Sequence, residues 1–370
     1  MKTTQTIYQL AVQGVQKLVP YQAGKPIEEL ERELGLSDIV KLASNENPLG
    51  PSPLALAAIN RVLPELARYP DGNGFDLKRA LARKFNVETR QITLGNGSNE
   101  ILELVARTFL TTADEVVFSR HAFAVYPLVT QAAGATARVV PALDYGHDLD
   151  AMRRAVSEKT RIVFIANPNN PTGTLLAADA LEDFIRSLPE SCICVLDEAY
   201  FEFIDPKNQS PSLVWLDRYP NLLVTRTFSK AYGLAGLRVG YSFSSPEMAD
   251  LLNRVRQPFN NNALALAAAE AALADTEHLR RTISVNNEGM RQLTEAFEKL
   301  NLDWIPSAGN FVSVQLNRSG EPVYQALLRK GVIVRPIGVY QMPEHLRVSI
   351  GTEAENRKFI DALTQVLGDV

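Results

Sequence analysis

The sequence predicts an α/β fold: a mainly parallel, doubly wound sheet in a large domain, with a smaller α+β domain appended. Three observations carry this. Strand-like and helix-like runs alternate between residues 50 and 250. Arg161-Ile162-Val163-Phe164-Ile165-Ala166 is almost continuously apolar, as a parallel strand covered on both faces requires. The polar loops at 97, 123, 170, 197 and 230 mostly follow strand ends, where such sheets bind ligands. A chain of 370 residues suits two domains. We set the large one at 45–262 and the small one at 263–370. Residues 1–44 form an N-terminal arm and part of the small domain.

Composition narrows the function classes. Apolar content of 46% and charged content of 22% are ordinary for a globular chain with a real core. A net charge of −4 argues against a nucleic-acid partner, since phosphate binding wants a basic face. The first residues lack an apolar core of signal-peptide length. The alanine-rich stretch 263–274 contains Glu270 and is too short to span a bilayer. Cys192 and Cys194 alternate along one strand and point the same way. Two thiolates alone do not close a zinc site, so no metal is expected. They read as buried free thiols, suited to a reducing compartment and a cytoplasmic location.

The elements follow in order. A helical piece spans Ile27–Leu34 and stops at Gly35. Residues 39–43 form a strand ending in Ser44-Asn45-Glu46-Asn47-Pro48. Ser52 caps a helix with Pro53 at its first position. Leu56, Ile59, Val62, Leu63 and Leu66 give that helix an apolar stripe, with Pro64 as a kink or early stop. Residues 91–94 form a strand, and Gly95-Asn96-Gly97-Ser98-Asn99-Glu100 turns into a helix. Glycines opening a helix let free N–H groups converge on an anion. The run lacks the last glycine of a dinucleotide fingerprint and the lysine of an ATP loop. Strands follow at 116–118, 161–166 and 192–196. The last ends in Asp197-Glu198-Ala199-Tyr200. A carboxylate at the end of a buried strand is costly unless paired. Asp197 reads either as a partner for a buried cation or as a helix N-cap. Beyond 247, helices and three strand-like pieces at 311–315, 331–335 and 345–350 make the smaller domain.

Residues 221–243 hold the centre. A short strand, Leu222 to Val224, runs into Thr225-Arg226-Thr227-Phe228-Ser229-Lys230, then Gly233, Gly236 and Gly240 surround Leu237-Arg238. A lone lysine is ordinarily a solvated charge. Here Ser229 and Arg238 flank it as candidate anion ligands, and a lysine desolvated beside cations has a lowered pKa and can form a Schiff base. Ser229-Lys230-Ala231-Tyr232-Gly233-Leu234-Ala235-Gly236-Leu237-Arg238-Val239-Gly240 resembles the cofactor-lysine segment of fold-type I aminotransferases, which use pyridoxal phosphate (PLP). Within them the chain is most similar to the histidinol-phosphate aminotransferases. Asn167-Pro168-Asn169-Asn170-Pro171-Thr172-Gly173 and Asp197-Glu198-Ala199-Tyr200 carry the same resemblance, which covers about residues 18–365.

The resemblance implies a set of roles. Lys230 carries PLP covalently and then serves as general base and acid. Asp197 pairs with the pyridine nitrogen. Asn170 and Tyr200 reach the 3′-oxygen, and Phe123 stacks on the ring in a place where tyrosine is commoner. Gly97, Ser98, Asn99, Ser229 and Arg238 hold the phosphate. Tyr69 reaches the neighbouring cofactor across a homodimer interface. Tyr21, Asn45, Arg335 and Arg347 face the substrates, a small-molecule amino donor and a 2-oxo acid. The implied reaction converts L-histidinol phosphate and 2-oxoglutarate to imidazole acetol phosphate and L-glutamate. Other readings are an aromatic aminotransferase, a PLP-dependent decarboxylase of phosphorylated amino acids, and a PLP-binding sensor without turnover. His121 is unusual for the pattern and receives no role.

Overall fold

A computed structural model describes residues 7–20 and 24–368. Its large sheet has seven strands: β2 (Ile92–Gly95), β3 (Glu115–Ser119), β4 (Thr136–Val140), β5 (Thr160–Ala166), β6 (Ile193–Asp197), β7 (Leu222–Thr227) and β8 (Gly240–Phe243). Their order is β2-β8-β7-β6-β5-β3-β4, and only β8 runs antiparallel to its neighbours. The central strands are buried on both faces, which explains their unbroken apolar sequence. Alternate residues feed two cores. Val163, Ile165, Cys194 and Leu196 join one, while Ile162, Phe164, Val195 and Leu223 join the other. Both cysteines therefore do point the same way, buried and unbridged.

A four-stranded antiparallel sheet is built from β9 (Trp304–Ile305), β10 (Phe311–Gln315), β12 (Arg335–Pro336) and β13 (His345–Ser349), in the order β12-β13-β10-β9. The expected strand over 331–335 is split. β11 (Val332–Ile333) instead pairs in parallel with β1 (Val40–Lys41), tying the N-terminal segment to this part of the molecule. Pro336 lacks an N–H and is tolerated because β12 is an edge strand.

Two further expectations are corrected. Ser52 does cap helix Pro53–Val62, its Oγ accepting from the Ala55 N–H at 3.1 Å. The helix, however, buries Ala55 and Ala58, while Leu56, Leu63 and Leu66 stay about half exposed. Small residues let it pack against helix Ala263–Ala274, whose Ala265, Ala268, Ala269 and Ala272 sit in the large-sheet core. A boundary after residue 262 thus does not separate the two cores. Strands β4 and β9 escaped sequence reading: β4 lies on a sheet edge with four of five residues exposed, and β9 has two residues.

Candidate active site

The ends of β5, β6 and β7, the turn after β2 and the edge of the small sheet enclose a cavity of about 250 Å³. Glycine geometry shapes one end. Gly97 has φ +76° and precedes helix Ser98–Phe109; a Cβ there would stand 2.5 Å from Arg238 Nη2. A Cβ at Gly240 would meet the Ser98 nitrogen at 2.4 Å. The two glycines thus bring the helix N-terminus, with its free N–H groups, against β8 and the Arg238 guanidinium. Arg238 donates to the Ala235 carbonyl at 3.0 Å and reaches Ser229 Oγ at 3.4 Å. Converging N–H groups beside a guanidinium make an anion site. Ser98, Asn99, Ser229 and Arg238 all line the cavity here.

Lys230 projects into the middle and donates to the Ser44 carbonyl at 3.0 Å. Burial, then the nearby Arg347 charge, pulls its amine down to about 8. Near neutrality it can therefore hold or release a proton. Asp197, at the end of β6, is buried, and its carboxyl is pushed up to about 6 by that burial, against the pull of the Tyr126 hydroxyl and the Ala199 N–H. Tyr126 donates to Oδ2 at 2.9 Å, whereas Oδ1 has no hydrogen-bond partner. Asp197 caps no helix; the next helical turn starts at Phe201, with Tyr200 before it. Behind it, Arg226 donates through Nε and Nη2 to Glu198 Oε2 at 2.9 and 2.8 Å, pinning β6 to β7 through a fully buried ion pair.

Asn45 donates from Nδ2 to the Tyr200 hydroxyl at 2.9 Å. Burial pushes that phenol up to about 12, opposed by Arg347 and by Asn45. Asn170 Oδ1 accepts from Arg347 Nη1 at 2.6 Å, and Arg347 Nη2 reaches the Ala43 carbonyl at 2.7 Å. Arg335 lies directly opposite Arg347 in the β12–β13 register, and both line the cavity. Phe123 also faces it, edge-on to Tyr126 at 5.9 Å between ring centroids.

Tyr69 is not brought to the cavity of its own chain: it is 84% exposed and stacks on Phe259 at 4.7 Å. Tyr21 lies outside the described residues. Sequence reading missed Tyr126, whose contact with Asp197 spans 71 positions and has no local signature. It also missed Tyr340, which lines the cavity from the small-sheet side. Among the described residues no group of acidic, histidine or cysteine side chains is placed to hold a metal, and no helix is long and apolar enough to cross a membrane.

Residues 37–363 match the family model for aminotransferase class I and II. The chain belongs to this family. Within it, the chain groups with the histidinol-phosphate aminotransferases. It is 59% identical over 360 residues to histidinol-phosphate aminotransferase 1 of Nitrosococcus oceani, covering 97% of each chain. It is 61% identical to histidinol-phosphate aminotransferase 2 of Pseudomonas fluorescens Pf0-1, with the same coverage. The crystal structure of histidinol-phosphate aminotransferase from Sinorhizobium meliloti in complex with pyridoxal-5′-phosphate superposes with a TM-score of 0.91 at 31% identity, over 96% of this chain and 97% of that one. The fold is that of the fold-type I enzymes; an aspartate aminotransferase from Thermus thermophilus shares it at 24% identity with a TM-score of 0.84. The family's cofactor is PLP. The aminotransferase cavity fits it: an anion cradle at one end, a lysine in the middle, and a buried carboxylate oxygen left without a donor.

Proposed function

We propose that this aminotransferase moves the amino group of L-histidinol phosphate to 2-oxoglutarate, giving imidazole acetol phosphate and L-glutamate in histidine biosynthesis. The observation that carries the reading is the pair of arginines facing each other on adjacent strands at the Lys230 cavity. The two substrates end in a phosphate and a carboxylate, and a planar guanidinium fork suits either. When bound, PLP supplies the electron sink that makes the substrate's α-proton removable.

The chain's own groups do the rest. The helix N-terminus at Ser98 and Asn99, with Gly97, Ser229 and Arg238, would hold the cofactor phosphate. Asp197, one oxygen fixed by Tyr126 and the other without a donor, would hold the pyridine nitrogen. Asn170 and Tyr200 would serve the 3′-oxygen, and Phe123 would cover the ring. Lys230 Nζ takes the α-proton and returns it, helped by an amine that titrates near neutrality. Arg347 and Arg335 bind the distal anion, and Asn45 orients Tyr200.

We also propose a homodimer in the cytoplasm. Leu54, Leu56, Leu63, Leu66, Tyr69 and Phe75 are exposed along one stretch of chain, apolar side chains that a partner subunit would take out of water. A second copy covering it would present Tyr69 to the partner's phosphate site. The buried, unbridged cysteines fit a reducing compartment.

Steady-state kcat/KM for histidinol phosphate and for phenylalanine tests the substrate. Histidinol phosphate should be preferred, and Lys230→Ala should lower turnover by at least ~10²-fold. Preference for phenylalanine would overturn the substrate assignment, and near-normal turnover by Lys230→Ala would overturn the site.

A further inference from the structure

His121 follows β3 and lies two residues before Phe123. It is buried, and its ring bridges the two sheets: Nδ1 lies 2.7 Å from the Tyr340 carbonyl. A carbonyl only accepts, so Nδ1 carries the hydrogen. The backbone around His121 is fixed from the other side, since Asn169 donates from Nδ2 to the His121 carbonyl at 2.9 Å and to Thr172 Oγ1 at 2.8 Å. Tyr145, in the loop after β4, lies between two imidazoles, 6.1 Å from the His121 ring and 5.4 Å from that of His345. His345 opens β13, two positions before Arg347. Thus one side chain touches, directly or through Tyr145, both small-sheet pieces that face the cavity: the Tyr340 turn and the Arg347 strand.

Two other side-chain bonds across this seam differ in kind. Arg347–Asn170 and Asn45–Tyr200 use side chains that the proposed function assigns to cofactor and substrate. Once Arg347 takes a substrate anion, its hold on Asn170 is shared or surrendered. His121–Tyr340 ends on a backbone carbonyl and uses neither arginine nor asparagine side chains of the cavity, so a bound anion does not compete for it. Ser313 Oγ donating to the Pro171 carbonyl at 2.7 Å is a second bond of this type.

We infer that His121 is a positioning residue, which keeps the Tyr340 turn and the Arg347 strand set against the cavity while substrate engages the arginines, and so tunes substrate affinity rather than the proton-transfer step. The inference rests on the transaminase reading of the cavity.

The test compares His121→Phe, which keeps a ring beside Tyr145 and removes the donor, with His121→Asn, whose amide nitrogen replaces Nδ1. Loss of one neutral hydrogen bond should raise KM for both amino donor and 2-oxo acid by about three- to ten-fold. Turnover at saturation should stay within about two-fold of wild type. His121→Asn should restore KM. An unchanged KM in the phenylalanine variant, a fall in kcat at constant KM, or no restoration by asparagine would overturn the assignment. A second measurement needs no variant kinetics. The chain has four histidines, so imidazole nitrogen resonances can be assigned, and His121 should be the Nδ1–H tautomer with a slowly exchanging proton. An Nε2–H tautomer overturns the bond itself. If wild-type protein transfers no amino group from either substrate, the transaminase reading fails instead, and the tautomer still decides the contact.

Discussion

Asp197→Asn should make the cofactor-free protein more stable while removing its activity. Folding raises the carboxyl from 3.8 to about 6, chiefly because the group is buried. A shift of about two units is worth about 3 kcal/mol. The folded state favours the protonated form, so this group's contribution is fully present below the unfolded value. It is lost as pH rises from about 4 through about 6. Above that range the cofactor-free protein holds a buried carboxylate with one oxygen unpartnered. Asparagine keeps an oxygen to accept from Tyr126 and carries no charge at any pH. Urea unfolding of cofactor-free wild type and variant, at about pH 4.5 and about pH 8, should show a gap that widens in the variant's favour by up to about 2 kcal/mol, the remaining third of the shift being lost already below about pH 4.5. Added PLP should then stabilise the wild type more than the variant, because only the carboxylate gains a cationic partner. A gap independent of pH, or a variant less stable at about pH 8, would refute the reasoning.

Two further outcomes are expected. Arg335→Ala should weaken histidinol phosphate more than phenylalanine, by roughly ten- to a hundred-fold in kcat/KM for one charge-assisted contact, whereas Arg347→Ala should weaken both donors. Arg347→Ala should also lower the melting temperature, since it leaves Asn170 Oδ1 and the Ala43 carbonyl without their donor. Gly97→Ala sets a Cβ 2.5 Å from Arg238 Nη2 at φ +76°, and should loosen PLP by about ten-fold in equilibrium dialysis. Gly236→Ala, with nothing within 4 Å, is the matched control and should bind normally.

Asn170, Asp197 and Lys230 were legible because each ends an apolar run, and a parallel sheet delivers such ends to one edge. The glycine-opened helix after the first strand of the large sheet was legible from Gly95 and Gly97, whereas its use as an anion cradle was read only together with Lys230 and the family resemblance. Composition and pattern also supplied the large doubly wound sheet, its two-sided burial and the paired cysteines. The split of residues 331–335 was not legible: whether Val332 and Arg335 share a sheet depends on β1, nearly 300 positions away. Nor was the buried face of helix Pro53–Val62. Its leucines fit a helical stripe, yet the close approach of helix Ala263–Ala274 selects the alanines.

The sequence by itself determined which groups are available for chemistry, because a lysine, a strand-end carboxylate and a glycine-opened helix are fixed by local residue type and by strand order, and the family resemblance gave them roles. Only the tertiary structure decided which groups tune that chemistry. Tyr126 on Asp197, Asn45 on Tyr200, Arg335 opposite Arg347 and His121 on Tyr340 are contacts between segments far apart in the chain. Their side chains are ordinary in their own neighbourhoods. They gain a role only where packing removes water and leaves each polar atom one available partner.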